Sequence, residues 1–223
     1  MHRIDLKSEA GRARIAQLLA GADLLVTAQR KSALERMGLD PATLAQRHPA
    51  LCHVAIAGHA APDEDVAGHD LTYLAAHGLV RPPQLPPTLF ADMAGAERAV
   101  STALALLLAR QRCGRGASQP VPLEDGARAL AEPLHEGLTA PGAILGGGLA
   151  GYNLYAAREG WIAVAALEPH FARRLADALR LASLEAEALR ERFAAETAEW
   201  WQRWAREKDL PIVAVRLPPQ ARP

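Results

Sequence analysis

Apolar residues in the first sixty positions alternate between helical and strand spacing. Ile15, Leu18 and Leu19 share one face of a helix that Ser8 caps and that Gly21 ends as a left-handed C-cap. Ile4-Asp5-Leu6, Leu24-Leu25-Val26 and the run from Leu51 to Ala57 read as short buried strands. Between the last two, Ser32 and Glu35 form a capping box for a short helix closed by Gly38. Asp40-Pro41 supplies the N-cap and first residue of another. Strands alternating with helices predict an α/β fold, a Rossmann-like parallel sheet covered by helices.

Further on, Asp70 reads as the cap of a helix from Leu71 to about His77, stopped by Gly78. Pro82, Pro83, Pro86 and Pro87 forbid regular helix and favour an extended crossing. Asp92 stands just before a long helix that ends near Gln111. Its Ala99, Ala103, Leu106 and Leu107 share a face that Leu104 and Leu108 widen, so the spacing predicts burial nearly all round. Val121 to Leu123 reads as a strand, and Glu124 to Glu136 as a helix broken by Pro133. The glycine-rich run from Gly142 to Gly151 reads as a linker, which divides the chain into residues 1–141 and a smaller α+β domain, 142–223. In that domain, strands at Tyr152–Tyr155 and Trp161–Val164 flank a Glu159-Gly160 turn. Helices follow from Glu168-Pro169, up to Phe193 and from Thr197, and Ile212 to Val215 is a last strand.

Composition narrows the functional classes. Lys+Arg and Asp+Glu are both 25, so charge gives no pull toward nucleic acid or an acidic membrane. Cys52 and Cys113 lie far apart without a CxxC pattern, which excludes a disulfide framework and a zinc site by spacing. The N-terminus lacks the apolar core of a signal peptide, and the most apolar run, Ala99 to Ala109, is too short to cross a bilayer. A cytoplasmic protein is expected, without metal or membrane partner.

His69 and Asp92 are the residues best placed for chemistry. Each sits at or just before a predicted helix start, where free amides and the helix dipole favour negative charge. A histidine and a carboxylate on opposite faces of one carbon can exchange its proton through an enolate. The residues alone leave other roles open: Asp92 as an N-cap, His69 as a structural or exposed histidine. Gly146-Gly147-Gly148 lacks a GxxxxGK[ST] phosphate-loop pattern, and Trp200 and Trp204 have the helical spacing of packing residues. Arg173-Arg174 with Arg180 reads as a solvated face, and Cys113 has no general base near it in sequence.

Five words in order resemble the family III CoA-transferase (CaiB/BaiF) superfamily, and within it the α-methylacyl-CoA racemase branch. Gly68-His69-Asp70-Leu71-Thr72-Tyr73 resembles GHDxxY, and Leu89-Phe90-Ala91-Asp92-Met93-Ala94-Gly95 resembles LLADFxG. Arg112-Cys113-Gly114-Arg115-Gly116 resembles RTGxGQ. Tyr152-Asn153-Leu154-Tyr155 with Glu159-Gly160 resembles YxxYxxxDG, and Ala165-Ala166-Leu167-Glu168-Pro169-His170-Phe171 resembles GAxEPxF. The resemblance implies that His69 and Asp92 are the two bases that invert the α-carbon of a 2-methylacyl-CoA. Glu168 matches an acidic residue that approaches the site from the same or the partner subunit, and Tyr73 a pocket tyrosine. Asp70 begins the helix that would steady the enolate. CoA would enter as part of the substrate, with no separate cofactor, and the expected assembly is an interlocked homodimer. In the transferase branch the aspartate matching Asp92 accepts the acyl group instead.

Departures from the pattern accompany these matches. The chain begins at a point resembling the family's LDLK strand, after the usual GxRVLDL and IKVE unit. Thr88 stands where the racemase branch commonly has asparagine. Arg30-Lys31-Ser32 replaces RPG, leaving Arg30 as the candidate contact for CoA phosphate, and the Gly58-to-Gly68 loop lacks GFGxxGP. A third reading follows: a fragmentary or split homologue that works through a partner chain paired at its sheet edge.

Overall fold

The computed structural model describes residues 3–217. The chain forms two compact units divided between Ala131 and Glu132, within helix α6 (Leu123–His135), which continues through Pro133.

In the first unit, β1 (Leu24–Thr27), β2 (Cys52–Ala57) and β3 (Ser118–Pro122) form a parallel sheet in the order β1-β2-β3. The expected α/β class is observed. Side chains alternate across the sheet. Leu25 packs with Leu19, Leu34, Leu44 and Leu51, which come largely from α1 (Glu9–Ala20), α2 (Lys31–Met37) and α3 (Pro41–Arg47). Val54 and Val121 pack with Ala99 and Ala103 of α5 (Phe90–Cys113). His53 is fully buried and joins all three strands: Nε2 lies 2.9 Å from Thr27 Oγ1 and Nδ1 3.2 Å from Ser118 Oγ. Burial holds its pKa below the ordinary histidine value, which favours a neutral ring.

Several local expectations change. Ile4-Asp5-Leu6 forms no strand; the Asp5 carbonyl instead accepts the Ser8 hydroxyl at 2.8 Å, shaping the turn into α1. Ser8 caps α1 as expected, but Gly21 closes it at φ −112°, outside the left-handed region. Ser32 lies inside the first turn of α2, and its hydroxyl donates to Asp65 at 3.0 Å rather than closing a capping box. Helix α5 is buried on one face only. Small alanines let it approach the sheet, while Met93, Val100, Leu104 and Leu108 stay exposed, Leu104 at 62%. Among the described residues no helix is long and apolar enough to cross a membrane.

The second unit carries an antiparallel sheet, β4 (Tyr152–Ala156), β5 (Trp161–Ala165) and β6 (Ile212–Ala214), in that order. Its helices are α7 (Pro169–Leu179), α8 (Ala186–Phe193) and α9 (Ala198–Glu207). The glycine-rich run folds into an irregular turn, Ile144–Gly148, and Asn153 Nδ2 donates to the Gly147 carbonyl at 3.3 Å. Phe193, Leu189, Leu175 and Ile162 form a fully buried centre. The Trp201 ring stands edge-on to Phe193 at 5.0 Å, and its Nε1 donates to the Phe193 carbonyl at 2.9 Å. Trp200 and Trp204 pack against the same core.

Replacing the buried Phe193 by alanine removes the ring against which Tyr155 and Trp201 both pack. The expected loss is about 3–5 kcal/mol, read by denaturant unfolding followed through tryptophan fluorescence.

Candidate active site

Helix α4 (Asp70–Ala76) starts directly after His69, which is its N-cap residue. The Thr72 hydroxyl accepts from the His69 amide at 3.0 Å and donates to the His69 carbonyl at 2.8 Å. This local cap fixes the backbone of His69 while its side chain stays exposed.

Asp70 does not cap its own helix. It is buried, 5% exposed, and its Oδ1 accepts from the amides of Ala91 at 2.7 Å and Asp92 at 3.0 Å. These amides belong to the first turn of α5, whose orphan N–H groups and dipole favour a carboxylate. Asp92 is therefore not the N-cap: α5 starts at Phe90, and Asp92 lies within its first turn. The Asp70 carboxylate ties the start of α4 to the start of α5, and this tie brings His69 and Asp92 into one electrostatic neighbourhood.

Asp92 is partly buried, and its pKa lies above the ordinary aspartate value. Burial is the larger cause, the Asp70 charge adds to it, and His69 opposes both. A carboxyl shifted this way accepts a proton more readily than an ordinary aspartate.

Tyr73 is 2% exposed and packs with Leu74, Ala91 and Ala127, so α4, α5 and α6 share one core here. Burial first, then the charges of Asp92 and Glu124, push its phenol upward and keep it protonated. Its position depends on two glycines. A Cβ at Gly58 would meet the Tyr73 hydroxyl at 2.5 Å, and one at Gly68 would meet it at 2.7 Å. Gln29, Arg30, Gly58, Gly68, His69 and Tyr73 help line a pocket of about 280 Å³ at the C-terminal ends of β1 and β2. Ligands commonly bind at that end of parallel strands.

The other sequence-derived residues are distributed unevenly. Arg30 is exposed and lines this pocket with His69. Thr88 is absent from its lining, and its hydroxyl points to Met93 Sδ at 3.6 Å. Glu168 belongs to the second unit, where it is the N-cap residue of α7. Sequence reasoning missed His59 and Glu124. His59 Nδ1 lies 2.6 Å from Glu124 Oε2, and the His59 ring stands edge-on to Tyr73 at 5.1 Å. These residues are 65 positions apart, so no local spacing pairs them.

The sequence profile of CoA-transferase family III matches residues 2–222. An α-methylacyl-CoA racemase from Mus musculus is 31% identical over 202 residues, covering 82% of this chain and 52% of that protein. A cinnamoyl-CoA:phenyllactate CoA-transferase from Clostridium sporogenes is 36% identical over 118 residues, 48% of this chain and 29% of that protein. The chain spans about half the length of the racemases it matches. Among solved structures, the Rv3272 protein of Mycobacterium tuberculosis has a TM-score of 0.81 at 22% identity, covering 96% of this chain and 67% of that one. A CaiB/BaiF family protein from Brucella suis has a TM-score of 0.75 at 21% identity, covering 96% and 65%. These two likenesses establish the fold.

The raised pKa of Asp92 has a consequence for stability. A carboxyl with a folded-state pKa above its unfolded value penalises folding once it ionises, and the penalty vanishes below the unfolded value. Asp92→Asn is therefore expected to raise the melting temperature at neutral pH. The gain shrinks as pH falls through the raised value and disappears below the ordinary aspartate range. Thermal unfolding of both chains across pH checks the sign.

Proposed function

The chain belongs to CoA-transferase family III, and from that premise we propose that it inverts the α-carbon of a 2-methylacyl-CoA thioester by two-base proton transfer. The observation that carries this reading is the Asp70 tie. It sets an exposed histidine that lines a pocket and a carboxyl with a raised proton affinity in one electrostatic neighbourhood. One base removes the α-proton, the electron pair passes into the thioester as an enolate, and the conjugate acid of the other base returns a proton to the opposite face. His69 and Asp92 exchange these roles according to the enantiomer bound. The amides of Ala91 and Asp92 are taken by Asp70 and those of Thr72 and Tyr73 by the His69 carbonyl, so in this reading the enolate oxygen is met by the first amides of α4, those of Asp70 and Leu71. Tyr73 and Arg30 form part of the substrate's surroundings, and CoA arrives with the substrate. The similarity to named racemases over most of the chain supports this substrate class.

A second reading has its own support in the similarity to a cinnamoyl-CoA:phenyllactate CoA-transferase. Asp92 would attack the thioester carbonyl, forming an acyl anhydride and expelling CoA thiolate; the thiolate would return to the Asp92 carbonyl and release the donor acid, and the aspartyl thioester so formed would pass CoA to an acceptor carboxylate by the same two steps in reverse.

Deuterium incorporation at the α-carbon, followed from each enantiomer in heavy water, separates these readings. His69→Ala and Asp92→Ala should each lower racemisation by about 10²–10⁴-fold. Racemisation at the parent rate in both variants would sink the two-base assignment. A hydroxylamine-trapped adduct on Asp92, with activity surviving His69→Ala, would favour CoA transfer.

A further inference from the structure

Glu124 does not itself line the pocket described above, but its carboxylate is paired with two histidines beside it. Its Oε2 lies 2.6 Å from His59 Nδ1, and its Oε1 lies 3.6 Å from His77 Nε2. Its backbone amide donates to the Gly58 carbonyl at 3.1 Å, which braces the start of α6 against the end of β2. A carboxylate bonded to one ring nitrogen fixes the tautomer and orientation of an imidazole. Held this way, the His59 ring stands edge-on to Tyr73, at 83° between planes and 5.1 Å between centres. His59 Nε2 and the Tyr73 hydroxyl also crowd one point: a Cβ on Gly68 would meet them at 2.9 and 2.7 Å. Tyr73 is thus pressed between the His59–Glu124 pair and the glycine backbone that leads into His69.

We propose that Glu124 is a positioning residue which, through His59, holds the Tyr73 phenol in place as the neutral hydrogen-bond donor in the wall of the acyl-CoA pocket. This deepens the proton-transfer reading and rests on it for the identity of the substrate. The charged groups around the phenol agree with the assignment. Asp92 from α5 and Glu124 from α6 both raise its pKa, after burial, so the group that faces the substrate is O–H rather than phenolate. The three side chains come from the end of β2, from α4 and from α6, so the pair fixes Tyr73 relative to the sheet as well as to its own helix. A pocket wall fixed to the sheet orients a bound thioester, and misplacement at this level costs rate more than affinity.

The test uses Glu124→Ala, Glu124→Gln and His59→Phe in the full chain, with two readouts. The first is the alkaline titration of the Tyr73 phenol, obtained as the ultraviolet difference from the same chain carrying Tyr73→Phe. Removing the Glu124 charge should let the phenolate form at lower pH, in the alanine and glutamine variants alike. The second is α-proton exchange. In Glu124→Ala, kcat should fall at least about tenfold with KM within about twofold. Glu124→Gln, whose amide oxygen still accepts from His59 Nδ1, should recover most of kcat, and His59→Phe should not. An unmoved Tyr73 titration in Glu124→Gln, or a Glu124→Ala kcat equal to the parent's, overturns the proposal. If the parent shows no exchange with any 2-methylacyl-CoA, the proton-transfer reading fails separately and the Tyr73 titration in His59→Phe decides the positioning role: a titration equal to the parent's overturns it. If the alanine variant does not fold, the glutamine and phenylalanine variants give both answers.

Discussion

The carboxylate of Asp70 is the contact on which the candidate site depends. One oxygen accepts from two consecutive amides, those of Ala91 and Asp92. The desolvation of this buried acid is offset by charge-assisted hydrogen bonds and by the N-terminal end of the α5 dipole. No side chain within α5 itself supplies the cap. Because the acid is the first residue of α4, the same contact sets where α4 begins relative to α5. His69 and Asp92 owe their shared neighbourhood to that registration.

Around this tie the structure separates what is rigid from what is available. The sheet, the alanine face of α5 and the Tyr73–Leu74–Ala91–Ala127 cluster are buried and interlocked. The His69 imidazole and the Arg30 side chain are exposed at the pocket. This is the usual division for a parallel sheet, with reactive groups on the connections that follow strands and with packing left to the strands. The two glycines at Gly58 and Gly68 belong to the rigid part, since each leaves the space that the Tyr73 hydroxyl fills. Asp92 lies between the two classes, and its raised proton affinity follows from that partial burial beside Asp70.

Much of this was legible in the sequence because it rests on local rules. Spacing located β1, β2 and the helices between them, and Ser8 and Asp40 cap as their residue types require. The ordered motifs drew attention to His69 and Asp92. What escaped was contact across long separations. Asp70 and Asp92 both looked like caps of the helices they adjoin, and only the fold shows one aspartate capping the helix of the other. The apolar run of α5 overstated its burial, because a helix lying on a sheet buries one face, and Val100, Leu104 and Leu108 point elsewhere. His59 and Glu124 carried no periodic signal, since their pairing requires β2 and α6 to be brought together first.

The coupling among Asp70, Asp92 and His69 is the core of the account, and carbon-13 NMR titration of the Asp92 carboxyl measures it without substrate. Asp92 is expected to titrate above the ordinary aspartate value, with His69→Ala raising it further and Asp70→Asn lowering it. A carboxyl that titrates at the ordinary value, indifferent to both substitutions, would contradict the coupling.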